Sequence, residues 1–287
     1  MKFYIKDIPS SMTVTDYIKT NSDYLELART VKPKNVPRGT KSLIFDAPEI
    51  DYASIYASIL EACSIYGEYG WQTKLTESKI YTGFSLMHNP NHLDVENKHR
   101  STLGTKTMLD FTKYKDNINK KNSYADTLSF RLRTDASKHG KLGEFLDTIG
   151  LSLTRGRLST VNADKFINDA QLNAYGWHYD ESIFENLRLN IPVHTDEIFL
   201  FQIEGEEPVH LNTGRAYTWD TAIPHRIFAT EIANKKRTHL VIGMSPWFRY
   251  IPEEDAWETN EYYGVKHPFD IMIEGGVLPH LKLVDYK

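Results

Sequence analysis

A transition-metal site in this 287-residue chain has to be built from imidazoles and carboxylates, because Cys63 is its one cysteine. Histidine and aspartate two apart in an extended segment point to the same side, so both can reach one ion. Three such pairs occur, His92-Leu93-Asp94, His178-Tyr179-Asp180 and His194-Thr195-Asp196. Chance gives about 0.7 among 11 histidines, so the pattern alone proves little. Each pair also has a histidine 45 to 47 residues downstream, namely His139, His225 and His239. Spacing does not separate them; context does. His92 follows the polar Asn89-Pro90-Asn91, and His139 falls in a helical stretch. Thr195-Asp196-Glu197 reads as a turn between strands, with His239 in mid-strand, although Arg249 follows His239 as an oxo-acid-binding arginine would. His178 instead opens the run into the Arg188 strand, and His225 follows the turn-strand-turn unit Gly214–Asp220. The candidate catalytic and metal-ligating residues are therefore His178, Asp180 and His225. Two histidines and one carboxylate cover one face of an octahedral ion such as Fe(II) and leave the other face open to substrates. Arg188, 10 residues after His178, and Arg237, 12 after His225, are spaced to grip a carboxylate bidentately.

Strands must carry these groups. Six short runs rich in β-branched, aromatic or leucine residues lie between turn residues: Gly156–Val161, Leu187–Val193, Ile198–Ile203, Arg215–Trp219, His225–Ala229 and Thr238–Met244. No helical pattern separates them, so the core is expected to be a sandwich or barrel rather than a βαβ sheet. The first half is mixed. Residues 51–66 predict a helix whose apolar stripe is Ile55, Ile59, Leu60 and Cys63, punctuated by Gly67 and Gly70. Residues 86–125 read as polar loops around one short helical piece near Met108–Tyr114. A second helix is expected from Ala136 to Ile149, closed by Gly150. The segment from Pro246 is turn-rich and aromatic and is expected to wrap the barrel. This divides the chain into a mixed region, 1–150, a β core, 151–250, and an extension, 251–287.

Composition narrows the partners. The formal charge is -4, with 34 basic and 38 acidic side chains, so no global basic field attracts nucleic acid or an anionic membrane. Aromatic residues make up 12% of the chain, which is material for a packed core and argues against disorder. No apolar run approaches the ~18 residues of a membrane helix. The start Met1–Asp7 does not read as a signal peptide, since an acid interrupts it. A reducing, cytoplasmic setting is the expectation, with oligomeric state open.

The stretch from about Arg157 to Gly243 resembles the aspartyl/asparaginyl β-hydroxylase-like branch of the 2-oxoglutarate- and Fe(II)-dependent oxygenases, which includes proline cis-4-hydroxylase-type enzymes. The matching pieces are His178-Tyr179-Asp180-Glu181, Leu187–Val193, Gly214–Asp220, Pro224-His225 and Arg237–Ile242, in the family's order. The resemblance spans about 90 residues, under a third of the chain. It implies a mainly β fold with helical additions around a double-stranded β-helix (jelly-roll, cupin-like) core. It implies Fe(II) held by His178, Asp180 and His225, with 2-oxoglutarate as co-substrate and O2 as oxidant. It assigns Arg237 to the distal carboxylate of 2-oxoglutarate and Arg188 to a supporting position; Asn190 and Ser159 are further candidate cofactor contacts read from their positions alone, Ser159 reading more readily as a plain strand residue. The chain departs from the family in reading Arg188-Leu189-Asn190 where many members have Arg-x-His. Asp180, absent from the animal aspartyl hydroxylases, leans the resemblance toward amino-acid hydroxylases.

The reaction so implied hydroxylates an aliphatic C–H of an amino acid, a peptide or protein residue, or a similar small molecule, releasing succinate and CO2. Two rivals keep the barrel: a non-catalytic cupin-like binding protein, and a metal-dependent hydrolase or isomerase that needs no oxo-acid grip. Trp177, Tyr179 and Trp219 flank the candidate site and could wall it or simply pack. Thr160 is a further possible co-substrate contact, and Arg155 and Arg157 face either solvent or an acidic substrate. His210, His239 and His267 have no partner pattern and read as structural or exposed. Lys113, Lys115, Lys120 and Lys121, interrupted by Asp116, read as a solvated loop. Trp257, Tyr262 and Tyr263, if exposed, could dock a second copy.

Overall fold

The expected strand runs form strands within one or two residues of their predicted ends, because Gly, Pro, Asn and Asp bound them. The computed structural model describes residues 3–8, 12–72, 77–90, 95–103, 126–166 and 175–287. The strands in the first half are β1 (Tyr4–Ile5), β2 (Ser42–Asp46), β3 (Tyr69–Gln72), β4 (Glu77–Gly83), β5 (Met87–His88) and β6 (Leu132–Arg133). The central strands are β7 (Arg157–Asn162), β8 (Tyr175–His178), β9 (Leu187–His194), β10 (Phe199–Ile203), β11 (Arg215–Trp219), β12 (His225–Ala229) and β13 (Lys236–Met244). β14 (Phe248–Ile251), β15 (Ala256–Thr259) and β16 (Lys282–Tyr286) follow. The helices are α1 (Val14–Asn21), α2 (Tyr24–Thr30), α3 (Tyr52–Tyr66), α4 (Gly140–Asp147) and α5 (Pro268–Ile273).

The fold is mainly β, and its strand pairs are antiparallel. Eight strands form one sheet in the order β16-β2-β11-β9-β13-β7-β4-β3, and three form a smaller sheet, β10-β12-β8. Strands from all three stretches of the chain share the large sheet. β2 pairs β11, Tyr81 and Thr82 of β4 pair Val161 and Thr160 of β7, and β16 pairs β2. The register that matters for the site runs through β13, where Val241 lies opposite both Asn190 of β9 and Arg157 of β7. In the small sheet, His225 of β12 lies opposite His178 of β8. Pro192, which has no N–H to give, sits where the β9–β13 ladder shifts register between Thr238 and His239. Gly243 permits a close approach: a Cβ there would lie 2.2 Å from the Arg155 carbonyl.

Three expectations change. In α3 the buried stripe is Ile55, Ser58, Ile59 and Ala62, and Leu60 is 47% exposed. Leu60 lies one residue past Ile59, about 100° around the helix, so it cannot share that face. The helix expected from Ala136 to Ile149 is instead a 3-10 turn, Ala136–Lys138, followed by α4. Gly140, at φ +46, redirects the chain where α4 begins. The extension does more than wrap, since it supplies β16 to the large sheet and buries Trp257 in the core. Trp257 is therefore not available to dock a second copy. The piece expected near Met108–Tyr114 and the lysines from Lys113 to Lys121 lie outside the described residues. Among the described residues no helix is long and apolar enough to cross a membrane.

His267 caps α5. Its Nδ1 accepts from the Phe269 N–H at 3.2 Å, and its ring is buried between Phe184 and Phe269. Burial lowers its pKa to about 4. The folded value lies below the unfolded 6.5, so the unfolded chain takes the proton first as pH falls. The stability contributed is complete above pH 6.5 and is lost toward pH 4, on the order of 3 kcal/mol. His267→Asn keeps a capping acceptor without a titrating ring. Urea unfolding of this variant is expected to depend less steeply on pH between 6.5 and 4 than that of the parent protein.

Candidate metal centre

Two imidazoles meet because β8 and β12 are paired. The rings of His178 and His225 have centroids 4.4 Å apart. The Nδ1–H of His178 donates to the Gly176 carbonyl at 2.9 Å, and that of His225 to the Ile223 carbonyl at 2.9 Å. A carbonyl can only accept, so each ring carries its proton on Nδ1 and its lone pair on Nε2, the tautomer that offers Nε2 to a metal. Burial lowers the pKa of both, that of His225 to about 4 with His178 adding to the effect, so both are neutral at pH 7. Asp180 follows β8 by two residues, and its main-chain N–H donates to the Thr221 carbonyl at 2.8 Å. Nitrogen and oxygen atoms of His178, Asp180 and His225 lie within 4.8 Å of one another, close enough to close around one cation. No other such group occurs among the described residues.

Three arginines act on the Asp180 carboxylate. Burial pushes the Asp180 carboxyl up, but Arg188, then Arg155 and Arg157, outweigh burial and hold it well below the usual carboxylate range. Arg188 donates from Nη1 to Asp180 and from Nη2 to Glu181, and Arg155 donates from Nη1 to the other Glu181 oxygen. Arg188, Glu181 and Arg155 are all buried.

The cavity beside the cation group, about 50 Å³, draws residues from both sheets, which therefore face each other across it. Pairs two apart line it: Arg157 and Ser159 of β7, Arg188 and Asn190 of β9, and His225 and Ile227 of β12. Arg237 and Val241, four apart on β13, join them. Arg237 is 5% exposed and pairs with no carboxylate among the described residues. Its Nε and Nη2 each lie 2.7 Å from a ring nitrogen of His239. Burial, with Arg237 adding to it, holds His239 neutral, and a neutral imidazole has one acceptor nitrogen. It therefore satisfies one of these donors and none of the charge. Burial lowers Arg237 to about 10, so it stays protonated at pH 7. The side-chain amide of Asn190 and the indole N–H of Trp219 are also buried, with no acceptor among the described residues. These donors lie beside the His178–Asp180–His225 cluster and suit a ligand carrying carboxylate oxygens.

No family model matches the sequence, and no curated protein matches it. Solved structures do. A 2OG-Fe(II) oxygenase-family oxidoreductase from Burkholderia pseudomallei is 14% identical, over 78% of this chain and 91% of its own, with a TM-score of 0.36. A prolyl hydroxylase from Trichoplax adhaerens, in complex with a hypoxia inducible factor peptide fragment, is 9% identical over 82% and 95%, with a TM-score of 0.37. The epimerase SnoN, in complex with Fe3+, alpha ketoglutarate and nogalamycin RO, is 11% identical over 79% and 86%, with a TM-score of 0.35. Likeness at this level carries no argument about the reaction of this chain. The residues of the site carry it instead.

The structure brings together His178, Asp180, His225, Arg188, Asn190, Ser159 and Arg237 around one cavity. Thr160 is not among its lining; it pairs with Thr238 at 3.2 Å. The rival set does not converge, since the His194 ring stacks on Tyr56 and Asp196 pairs with Lys235. Arg249 is exposed and pairs with Glu258. His92 and Asp94 lie outside the described residues. Neither Arg155 nor Arg157 is an exposed surface cation: Arg155 is buried against Glu181, and Arg157 lines the cavity. Trp219 also lines it, whereas Trp177 and Tyr179 are exposed. Sequence reasoning missed Tyr81, which reaches the cavity from β4 with no motif to mark it. The position of Arg157, two before Ser159 on one strand, was a signal that could have been followed.

A larger hollow of about 510 Å³ lies between α3, α4 and the residues before β16. Its charged lining groups pair largely with one another, Lys141 with Glu144 and Glu49 with His280, while Asp51 caps α3. Size does not make it the reactive site.

Proposed function

We propose that this protein is an Fe(II)- and 2-oxoglutarate-dependent dioxygenase that hydroxylates an aliphatic C–H of an amino acid, a peptide or protein residue, or a similar small molecule. The observation that carries this reading is a His178–Asp180–His225 cluster sharing one cavity with Arg237, a buried cation that has no carboxylate partner among the described residues. Two facing antiparallel sheets support reading the core as a double-stranded β-helix.

The donor set, two neutral imidazole nitrogens and one carboxylate, fits Fe(II) and leaves one face for exchangeable ligands. Iron with 2-oxoglutarate and O2 would supply the oxidant for the C–H, with release of succinate and CO2. The chain's own residues bind and orient. Gly176 and Ile223 carbonyls fix the histidine tautomers. Arg237 grips the far carboxylate of the co-substrate, which completes its pairing. Asn190 and Ser159 offer further hydrogen bonds to it, and Trp219 and Ile227 keep water from the reacting carbon. A hydrolase or isomerase on the same barrel has no need of a buried arginine without a carboxylate partner among the described residues, so Arg237 favours the oxo-acid reading.

The test is turnover of 2-oxoglutarate. Purified protein with Fe(II), ascorbate and O2 is expected to release succinate slowly alone and faster with its amino-acid or peptide substrate. No succinate across such a panel, together with no retained metal, overturns the proposal.

A further inference from the structure

Asp180 lies beyond the end of β8, so the ladder that holds His178 and His225 does not hold its side chain. Something else has to fix that carboxylate. Its main-chain N–H is tied to the Thr221 carbonyl, and the Thr221 hydroxyl donates to the Glu181 carbonyl, which anchors the backbone alone. The side chain is held by Arg188. Beyond it the charges alternate, Asp180, Arg188, Glu181, Arg155, each joined to the next by an ion pair. Arg188, Glu181 and Arg155 are 3%, 7% and 5% exposed, so water cannot substitute for a lost contact.

We infer that Arg188, clamped by Glu181 and Arg155, is a positioning residue for the metal ligand Asp180 and not a contact to the co-substrate. Both Nη atoms of Arg188 are engaged by carboxylates, whereas Arg237 faces the same cavity with no such partner among the described residues. Arg188 occupies one Asp180 oxygen, Oδ2, and so presents the carboxylate to a cation through the other. Glu181, next in the chain, could compete as a ligand. Arg155 holds its Oε1 and Arg188 its Oε2, so it is withheld. A planar guanidinium spans two carboxylates at once, and an ammonium does not.

This inference rests on the proposed metal site, and the experiment separates the two. Mn(II) binding and N-oxalylglycine binding to the Mn(II)-loaded protein are measured by calorimetry for the parent chain and for Arg188→Lys, which keeps the charge and loses the fork. Mn(II) affinity is expected to fall about 10-fold, the usual effect of losing a partner of a metal ligand. N-oxalylglycine affinity is expected to change less than about 3-fold, because Arg237 is untouched. Unchanged Mn(II) affinity, or a loss confined to N-oxalylglycine, overturns the inference. A parent protein that binds no Mn(II) overturns the metal site itself. If Arg188→Lys fails to fold, Glu181→Gln decides: a weaker, spectrally altered Mn(II) paramagnetic resonance signal supports positioning, and one identical to the parent's refutes it.

Discussion

His225→Ala is expected to abolish divalent-cation binding and, with it, succinate formation. Two ligands then remain, His178 and Asp180, and Asp180 is already shared with Arg188. A cation held by three groups stabilises the folded chain by mass action, about 2.7 kcal/mol at a hundredfold excess over Kd. The parent protein should therefore melt several degrees higher in excess Mn(II), and His225→Ala should show no such shift. The variant itself is expected to fold. His225 is 3% exposed against Trp219 and Phe201, so alanine leaves a small cavity costing roughly 1–3 kcal/mol. Removing the ring also takes its N–H donor from the Ile223 carbonyl, which adds to the cost. Circular dichroism establishes folding, and the Mn(II)-dependent melting shift reads the prediction. A cation-dependent shift equal to that of the parent would show that His225 is no ligand.

Arg237→Met is expected to lose the co-substrate and gain stability. Burial lowers the guanidinium to about 10, which is the mark of a charge held in poor surroundings. His239 gives it one acceptor, and no carboxylate joins it among the described residues. A methionine of similar length removes an uncompensated charge, so chemical denaturation should show an increase of about 1–3 kcal/mol. Affinity for 2-oxoglutarate on the metal-loaded protein should fall about 100-fold, since a charge-assisted bidentate contact is lost. Mn(II) affinity should stay within about 3-fold, because Arg237 touches no ligand of the cluster. A residue kept at a cost to stability is what a binding role requires. A stability loss with unchanged 2-oxoglutarate affinity would reverse the assignment.

The convergence of His178, Asp180 and His225 was legible in the sequence because its pattern is local. An i, i+2 pair on an extended segment and one histidine at the start of a later strand satisfy the geometry wherever the two strands pair, as His178 and His225 do. Strand ends were legible because turn residues mark them. The alternation of Leu187-Arg188-Leu189-Asn190 was legible too: Arg188 and Asn190, expected at the co-substrate, are buried because their face lines the cavity. The pairing of Arg155 with Glu181 joins groups 26 residues apart, one before β7 and one after β8, and no periodicity announces it. Tyr81 arrives from a strand in the first half, and β16 and Trp257 come from the extension to complete the sheet and the core. Contacts of that kind are set by how strands are ordered in the sheet, and single-chain patterning does not encode that order.

The central claim is that His178, Asp180 and His225 hold one divalent cation with an open face toward Arg237. A crystal structure with Mn(II) and N-oxalylglycine, read by anomalous scattering, tests it most directly. The expected result is one strong peak about 2.0–2.3 Å from a nitrogen of each histidine and an oxygen of Asp180. The far carboxylate of the analogue should lie on the Arg237 guanidinium. A peak bound by other residues, or none in a crystal soaked at saturating Mn(II), would contradict the account.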